Sequence, residues 1–590
     1  MIKQKDLLDE GIAEHQAGNL VAAKQVYQRI LINTPQYSEA LHLLGILEFQ
    51  VGNLADAEKL IQKSIKINPR VAAYFSNLGR ILKASGEVSR AIKAYKKALK
   101  LNAEDSQVYS DLAAAFIEIK NYHSAKQAVQ SALVISPRSS QALLNLGLVQ
   151  RAIGQTELAF DSFKAAVEGD MPIAEAYFQY GQSLYEKSQF QNAITAYKTA
   201  IEIQPNMIEA HCNLGNALRI LCFFEEAIDC YNKALKIDSN KAELHANRGV
   251  AFQEIGMLDE AVKNYRSALE IDPKDPETHR NLGMALLQNK NFSEGWKEFE
   301  WRCKTKNFMN NKDIPKRLRW SKQNPDGKTL LVHAEQGYGD SIHFSRYLTR
   351  VNALGAKVIV ECPKPLMGLL SLVKGVNAVI EVDDKRPRFD FHIPMMSLPG
   401  VFKEDLSNPN LGRPYIKLLK KNIQNWENRL SHFLGKKNVG LVWRGNSDHP
   451  RDALRSPGLI AFSSLIDSKD INFFSFQKDG GEIEINKANL SKKIINIGSN
   501  FELFIDTAAA ISCMDLIITP DTAVAHLCGA IGKEVWLLLS YVSEWRWFDG
   551  VNSTPWYNSM RLFRQPTVGD WKGVIDQVNE NLYAVSERDF

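Results

Sequence analysis

The sequence predicts a chain of two unlike parts, an α-helical solenoid of about nine units followed by an α/β portion built on two parallel-sheet layers. Three observations predict this. A small residue recurs every 34 residues through the first half. From Lys328 the pattern changes to short runs rich in Val, Ile and Leu that alternate with helical stretches. At 590 residues, the chain is too long for a single hydrophobic core.

The repeat comes first along the chain. Gly11, Gly45, Gly79, Gly147, Gly181, Gly215, Gly249 and Gly283 fall on a 34-residue interval, and Ala113 fills the gap. Twelve residues after each of the first eight markers stands an alanine, from Ala23 to Ala261. Four residues further on an aromatic is usual, as in Tyr27, Tyr95, Phe163, Tyr197, Tyr231 and Tyr265. Small residues let two helices approach, and the aromatic fills the space beside them. Pro35, Pro69, Pro137, Pro205 and Pro273 recur near the unit ends, where proline stops one helix before the next begins.

These residues resemble the tetratricopeptide repeat, a helix-turn-helix unit of the same period, over about residues 2–302. The resemblance implies a right-handed superhelix whose units bury their apolar faces against one another and leave a concave groove. It also places the residue two before each marker on the inward face: Asn77, Asp111, Asn145, Gln179, Asn213, Asn247 and Asn281, after Asp9 and Leu43 in the first two units. A row of carboxamides can hold the backbone of an extended peptide without reading its sequence. Similar asparagine ladders line the repeats of nucleocytoplasmic protein glycosyltransferases. The same side chains equally serve hydrogen bonds within the array. In the ninth unit Gly295 replaces the expected alanine, within an aromatic-rich helix from Phe292 to Arg302 that is expected to cap the solenoid and dock it onto the second half of the chain. Residues 303–327, with Pro315 and Pro325, read as a linker.

In the second half, residues 329–334, 357–362, 378–382 and 391–394 are expected as the strands of a first domain over 328–420. A polar helix over about 421–433 opens a second domain over 421–590, with strands at 438–443, 471–476, 515–519 and 534–539. In such folds the ligand lies beyond the carboxyl ends of the strands, so the loops there are the place to look for chemistry. The first loop is Glu335-Gln-Gly-Tyr-Gly-Asp340, whose glycines permit close backbone approach and whose Asp340 falls at a helix start. Asp340 there is a candidate general base, and is also a good helix cap. The second domain opens with Arg444, Gly445 and Asn446 and a basic loop containing His449, Arg451 and Arg455, suited to a diphosphate or simply solvated. Later a strand ends at Pro520 and a helix starts around Asp521 and Thr522, where free N–H groups favour phosphate oxygens. Asp521 suits a sugar or ribose hydroxyl, Thr522 a phosphate oxygen, and His526 adds a polar group one turn on.

Over about residues 328–580 these loops are similar to heptosyltransferase-like glycosyltransferases of family 9, which have the GT-B fold of two Rossmann-like domains. The resemblance implies a general base at Asp340 and donor binding at Asp521, Thr522 and His526. Ala523 stands where that family has glycine, adding a methyl where the phosphate approaches. Bacterial tetratricopeptide-fused glycosyltransferase-like proteins share Glu335 to Asp340 and a tail containing Ser543-Glu-Trp-Arg-Trp547, Pro555-Trp-Tyr557 and Arg561 to Gln565. Members of that group are implicated in modifying proteins, flagellin among them. Trp545, Trp547 and Trp556 suit either stacking on a nucleobase or sugar, or packing.

Composition narrows the rest. With 45% hydrophobic and 24% charged residues the chain is a folded one, and a net charge of +5 without a dense basic run gives no nucleic-acid footprint. The seven cysteines form no close pair of the kind zinc or redox sites need. Met1 to Glu10 lacks the pattern of a secretory signal and no apolar run is long enough to span a bilayer, so a cytoplasmic protein is expected. The expected activity is inverting, metal-independent sugar transfer from a nucleotide-sugar substrate, without a cofactor, to an acceptor protein held by the repeats. The alternative is a non-catalytic scaffold with a degenerate sugar-nucleotide-binding domain.

Overall fold

The computed structural model describes residues 2–306, 308, 314–321, 323–382, 384–433, 435–446, 452–468 and 470–586. The chain divides into two compact units, Met1–Ser239 and Asn240–Phe590. The first unit consists of helical hairpins, from Ile2–Gln16 with Leu20–Asn33 to Ile208–Ile220 with Phe224–Ile237.

The 34-residue pattern has a direct steric cause. In the hairpin of Ala72–Ala84 and Val88–Leu101, a Cβ on Gly79 would lie 2.4 Å from the Tyr95 ring. Gly147 stands against Phe163 in the same way, Gly181 against Tyr197 and Gly215 against Tyr231. The one described unit with alanine at the marker, Ala113, has the smaller Val129 where the aromatic would be. The exchange keeps the volume between the helices nearly constant, as close packing requires. Between the two helices of every unit one residue is left-handed. It is Gly at 18, 52, 86, 154 and 256, but Lys120 (φ 58°), Ser188 (59°), Cys222 (64°) and Lys290 (62°) elsewhere.

The second unit begins with the last four array helices, Ala242–Glu254, Leu258–Ile271, Pro276–Gln288 and Phe292–Phe299. Gly295 brings the last two together, since a Cβ there would meet Leu287 Cδ2 at 2.9 Å. The first sheet is parallel in the order β3-β2-β1-β4, formed by β1 Thr329–His333, β2 Lys357–Cys362, β3 Val376–Glu381 and β4 Phe391–Pro394. The second is β5 Lys437–Leu441, β6 Ile471–Ser475, β7 Ile494–Asn496, β8 Leu516–Pro520, β9 Val535–Leu539, β10 Ser553–Thr554 and β11 Tyr557–Arg564. Its order is β10-β11-β9-β8-β5-β6-β7, parallel throughout except for the β10/β11 pair. All eight expected strands are present with small shifts in their ends, whereas β7, β10 and β11 were not foreseen.

The aromatic-rich helix does dock. Trp296 donates Nε1–H to the Glu404 carbonyl at 2.8 Å and meets Trp545 edge-on at 5.3 Å, and Phe292 meets Phe548. Arg302 is 1% exposed and forks onto Glu335, with Nη2 to Oε1 at 2.7 Å and Nε to Oε2 at 3.1 Å. Glu335 Oε1 also accepts from the Met396 amide at 3.0 Å. The stretch expected as a linker is more than a connection: Ile314 and Trp320 are buried, Trp320 joins the core of the first sheet, and Arg319 makes a parallel bridge to His392. Among the described residues no helix is long and apolar enough to cross a membrane.

Candidate functional site

Three strand-end loops of the second unit meet. After β1, Gln336 (φ 58°) turns the chain into helix Tyr338–Phe344, capped by Asp340, whose Oδ2 accepts from the Gly337 amide at 3.2 Å. After β8, Asp521 and Thr522 lead into helix Ala523–Ile531, with Thr522 Oγ1 3.0 Å from Thr519 Oγ1. After β9 comes the single turn Trp545–Trp547. The two helix starts touch because residue 339 is glycine. A Cβ there would lie 2.9 Å from His526 Cδ2 and 3.4 Å from the Ala523 Cα. The close approach expected of Gly339 is therefore made to the opposite helix.

Arg546 sits at the junction and is only 2% exposed. Its guanidinium pairs with Asp340 Oδ1 and with Glu544 Oε2. Asp521 lies on the other side, its Oδ2 accepting from Trp547 Nε1 at 2.8 Å. The Asp340 and Asp521 side chains remain about one-fifth exposed, at 21% and 18%, so both can be reached from solvent. Burial raises the Asp340 carboxyl above its usual range, and the adjacent Arg546 opposes that rise. Asp521 is pushed up to about 7 by burial and by the nearby Glu544 charge, against the Trp547 hydrogen bond and Arg546.

Behind the carboxylates lies a buried polar cluster. Tyr557 Oη stands 3.0 Å from both His343 Nδ1 and His526 Nδ1. One hydroxyl proton serves one imidazole, so the other must donate its Nδ1–H to the same oxygen. The His526 ring stacks on Trp547, and its Nε2 is 3.8 Å from Asp521 Oδ1. Burial, reinforced by the neighbouring arginines, holds His343 and His526 well below the ordinary histidine range, so both are neutral.

The remaining expected donor residues behave differently. Arg444 is directed to its own domain, with Nε donating to Glu484 Oε1 at 2.7 Å and Nη2 to the Asp479 carbonyl. Arg455 pairs with Asp452 at 3.4 Å and is near enough to lower the Asp521 carboxyl. Asn446 ends the described part of its loop; His449 and Arg451 lie outside the described residues. Trp545, Trp547 and Trp556 are buried at 3%, 0% and 0%, so they pack and offer no open stacking face. Arg546, Glu544, His343 and Tyr557 had no role assigned from sequence. Arg546 stood inside the Ser543 to Trp547 motif, but its partner Asp340 is far away along the chain.

In the first unit the inward positions are engaged within the array. Asn145 is 2% exposed and donates Nδ2–H to the Ser110 carbonyl at 2.9 Å. Asn77 reaches His42 Nε2 at 2.9 Å, Asp111 accepts from Arg80 at 2.7 Å, and Gln179 pairs with Arg151 and Glu175. Asn213 lies close enough to Tyr197 to lower its hydroxyl slightly against the rise that burial causes. In the second unit Asn281 accepts from Arg280 at 3.2 Å, and Asn247 lies on helix Ala242–Glu254. Local bonding thus accounts for much of this row, and Asn145 is closed to a ligand.

Comparison with known proteins identifies the array. A TPR repeat family model matches residues 79–120, 181–219, 224–256 and 254–290, and a tetratricopeptide repeat model matches 8–72 and 110–176. Tetratricopeptide repeats therefore occupy the first half. Protein FlbA of Caulobacter vibrioides is 24% identical over 336 residues, covering 52% of this chain and 54% of its own length. The chain thus spans about half the length of this curated relative. Among solved structures, the APC/C hetero-tetramer Cut9-Hcn1 is 19% identical, with a TM-score of 0.38, covering 45% of this chain and 52% of that one. PilF of Pseudomonas aeruginosa is 19% identical, with a TM-score of 0.32, covering 35% and 94%.

Proposed function

We propose that the second unit carries a glycosyltransferase site, of the family 9 heptosyltransferase-like kind, that moves a sugar from a nucleotide-sugar donor to an acceptor hydroxyl. On this reading the two sheets are the two halves of a GT-B fold, and the repeats, which mediate protein interactions, hold the acceptor protein. The observation that carries the reading is the meeting of Asp340 and Asp521, from strand-end loops of two different sheets, around the buried cation Arg546.

The acceptor oxygen attacks the anomeric carbon, Asp340 takes its proton, and the bond to the diphosphate breaks with inversion. The charge that moves onto the diphosphate meets the free amides at the start of helix Ala523–Ile531, with Arg546 and Arg455 supplying positive charge without a metal. Asp340 is ion-paired with Arg546, and an incoming diphosphate competes for that guanidinium, which frees the carboxylate to act.

A second reading, a non-catalytic repeat scaffold with a degenerate sugar-nucleotide-binding domain, is favoured by the engagement of Arg444 with Glu484. The test is release of nucleoside diphosphate by the full chain from a panel of nucleotide sugars, with and without unfolded peptide. Transfer that Asp340→Asn abolishes while nucleotide binding persists supports the enzyme. Nucleotide binding without turnover leaves the scaffold, and an absence of both removes the sugar-nucleotide reading altogether.

A further inference from the structure

A cavity lies at the C-terminal end of helix Ala523–Ile531, which is about 13 Å long at 1.5 Å per residue and has Asp521 before its other end. It has a volume of about 910 Å³, within the range of small-molecule sites. Its lining contains Arg346, Arg350, Lys374, Arg413 and Lys417 and no aspartate or glutamate. Arg350 is paired with Glu404 at 2.7 Å. Lys374, Arg413 and Lys417 are exposed on the rim, and no described carboxylate pairs with any of them.

Arg346 is the decisive residue. It is 7% exposed, yet its guanidinium finds only neutral partners: the carbonyls of His343 (2.8 Å), Leu411 (3.1 Å) and Trp556 (2.9 Å) and the neutral His343 ring at Nδ1 (3.4 Å). It also lies over the rings of Tyr557 and Tyr415, at 4.6 and 5.0 Å. Buried charges are ordinarily paired with an opposite charge, and this one has none among the described residues. Its field is carried through a low-dielectric surround to the cavity it lines. The lining also contains the apolar Leu418, Ile423 and Ile531, all partly exposed.

We propose that this cavity binds an amphiphilic organic phosphate, its phosphoryl group against Arg346, Arg413, Lys374 and Lys417 and its hydrocarbon portion along Leu418, Ile423 and Ile531. The anion supplies the counter-charge that Arg346 lacks, and the apolar lining gives a hydrocarbon chain somewhere to leave water. Its lining includes none of Asp340, Asp521 and Arg546, so the proposal does not rest on sugar transfer, while Arg346 also contacts His343 and Tyr557 of the polar cluster behind those carboxylates.

The test is equilibrium dialysis of the full chain against octyl phosphate below its self-association concentration, with inorganic phosphate and octyl glucoside as separate probes. The expected result is saturable binding of octyl phosphate, at least tenfold weaker binding of each probe that has only the head or only the tail, and at least a tenfold loss in Lys374→Glu/Lys417→Glu. Both lysines are exposed, so the variant keeps its fold, which circular dichroism confirms. Unchanged affinity in the charge-reversed chain overturns the proposal. Inorganic phosphate binding as tightly as octyl phosphate overturns the amphiphilic assignment, and no saturable binding overturns the site.

Discussion

Removing the Arg302 guanidinium should unfold the second unit at much lower denaturant while leaving the first untouched. Arg302→Ala leaves Glu335, itself 5% exposed, with the Met396 amide as its remaining charge-compensating contact in a buried site. Breaking one side of a buried ion pair costs about 3–5 kcal/mol. The guanidinium also lies over the Phe299 ring at 4.9 Å, a contact whose loss adds to the same side. Taking about 4 kcal/mol, and a urea m-value of about 4 kcal/mol/M for a unit this large, the midpoint should fall by about 1 M. The assay is convenient because all ten tryptophans lie beyond residue 240, so tryptophan fluorescence reports on the second unit alone. Arg302→Ala/Glu335→Gln should recover most of the loss, because the stranded charge is then gone. A shift below about 0.3 M, or a double variant no better than the single, would refute the reasoning that an uncompensated Glu335 is what costs stability.

Other outcomes stem from the same geometry. Lys120→Gly should stabilise the first unit by about 1 kcal/mol, since it relieves a left-handed residue that most units fill with glycine; helical circular dichroism in urea measures it, and destabilisation would contradict it. Gly79→Ala should cost about 1–3 kcal/mol through the Tyr95 ring, and Tyr95→Val should restore part of that, reproducing the natural Ala113/Val129 pair. Burial also sets the pH response of the second unit. His333 and His392 are lowered to about 3 and about 4, and His343 and His526 lie well below the usual range. The unfolded chain therefore binds more protons below about pH 6.5, and the stability these groups contribute is lost as pH falls. Asp521, between about 7 and 4, and the likewise raised Asp340 work the other way, but four histidines outweigh two carboxyls, so the urea midpoint by tryptophan fluorescence should be lower at pH 5 than at pH 7. A midpoint equal or higher at pH 5 contradicts this. In a nucleotide-sugar assay, Arg546→Gln should reduce turnover by at least tenfold if it neutralises the leaving diphosphate, and unchanged turnover removes that role.

How much was legible depended on whether a feature is written locally. The array was, because Gly79 and Tyr95 meet within one hairpin and the relation repeats at fixed spacing. Strands such as β2, whose Val358, Val360 and Cys362 are fully buried, announce themselves as apolar runs. By contrast β11 buries Tyr557, Met560, Leu562 and Phe563 at uneven intervals and carries Asn558, Ser559 and Arg561 between them, so it shows neither an apolar run nor a period-two alternation. Asp340, Asp521 and His526 were legible because each follows a strand end. Arg546, Tyr557 and His343 were not, since what makes them a cluster is the contact of residues 206, 31 and 214 positions apart along the chain. The packing of Trp320 within residues 303–327 was not legible for a related reason: it is buried against a sheet whose strands come later in the sequence.

The Arg302–Glu335 fork has a practical meaning for anyone who wishes to exchange the solenoid. Joining foreign repeats at the end of the ninth unit, around residue 303, would hand the α/β body a helix that lacks Trp296, Phe299 and Arg302, and leave it with an open seam. A chimera should instead be spliced at Ser239/Asn240, carrying the last four helices along as a permanent collar. Upstream of that junction each unit sets a small residue against a larger apolar one at the same spacing, alike enough to be added, removed or swapped as cassettes. Downstream of it, repeat and sheet share a core and are inherited together.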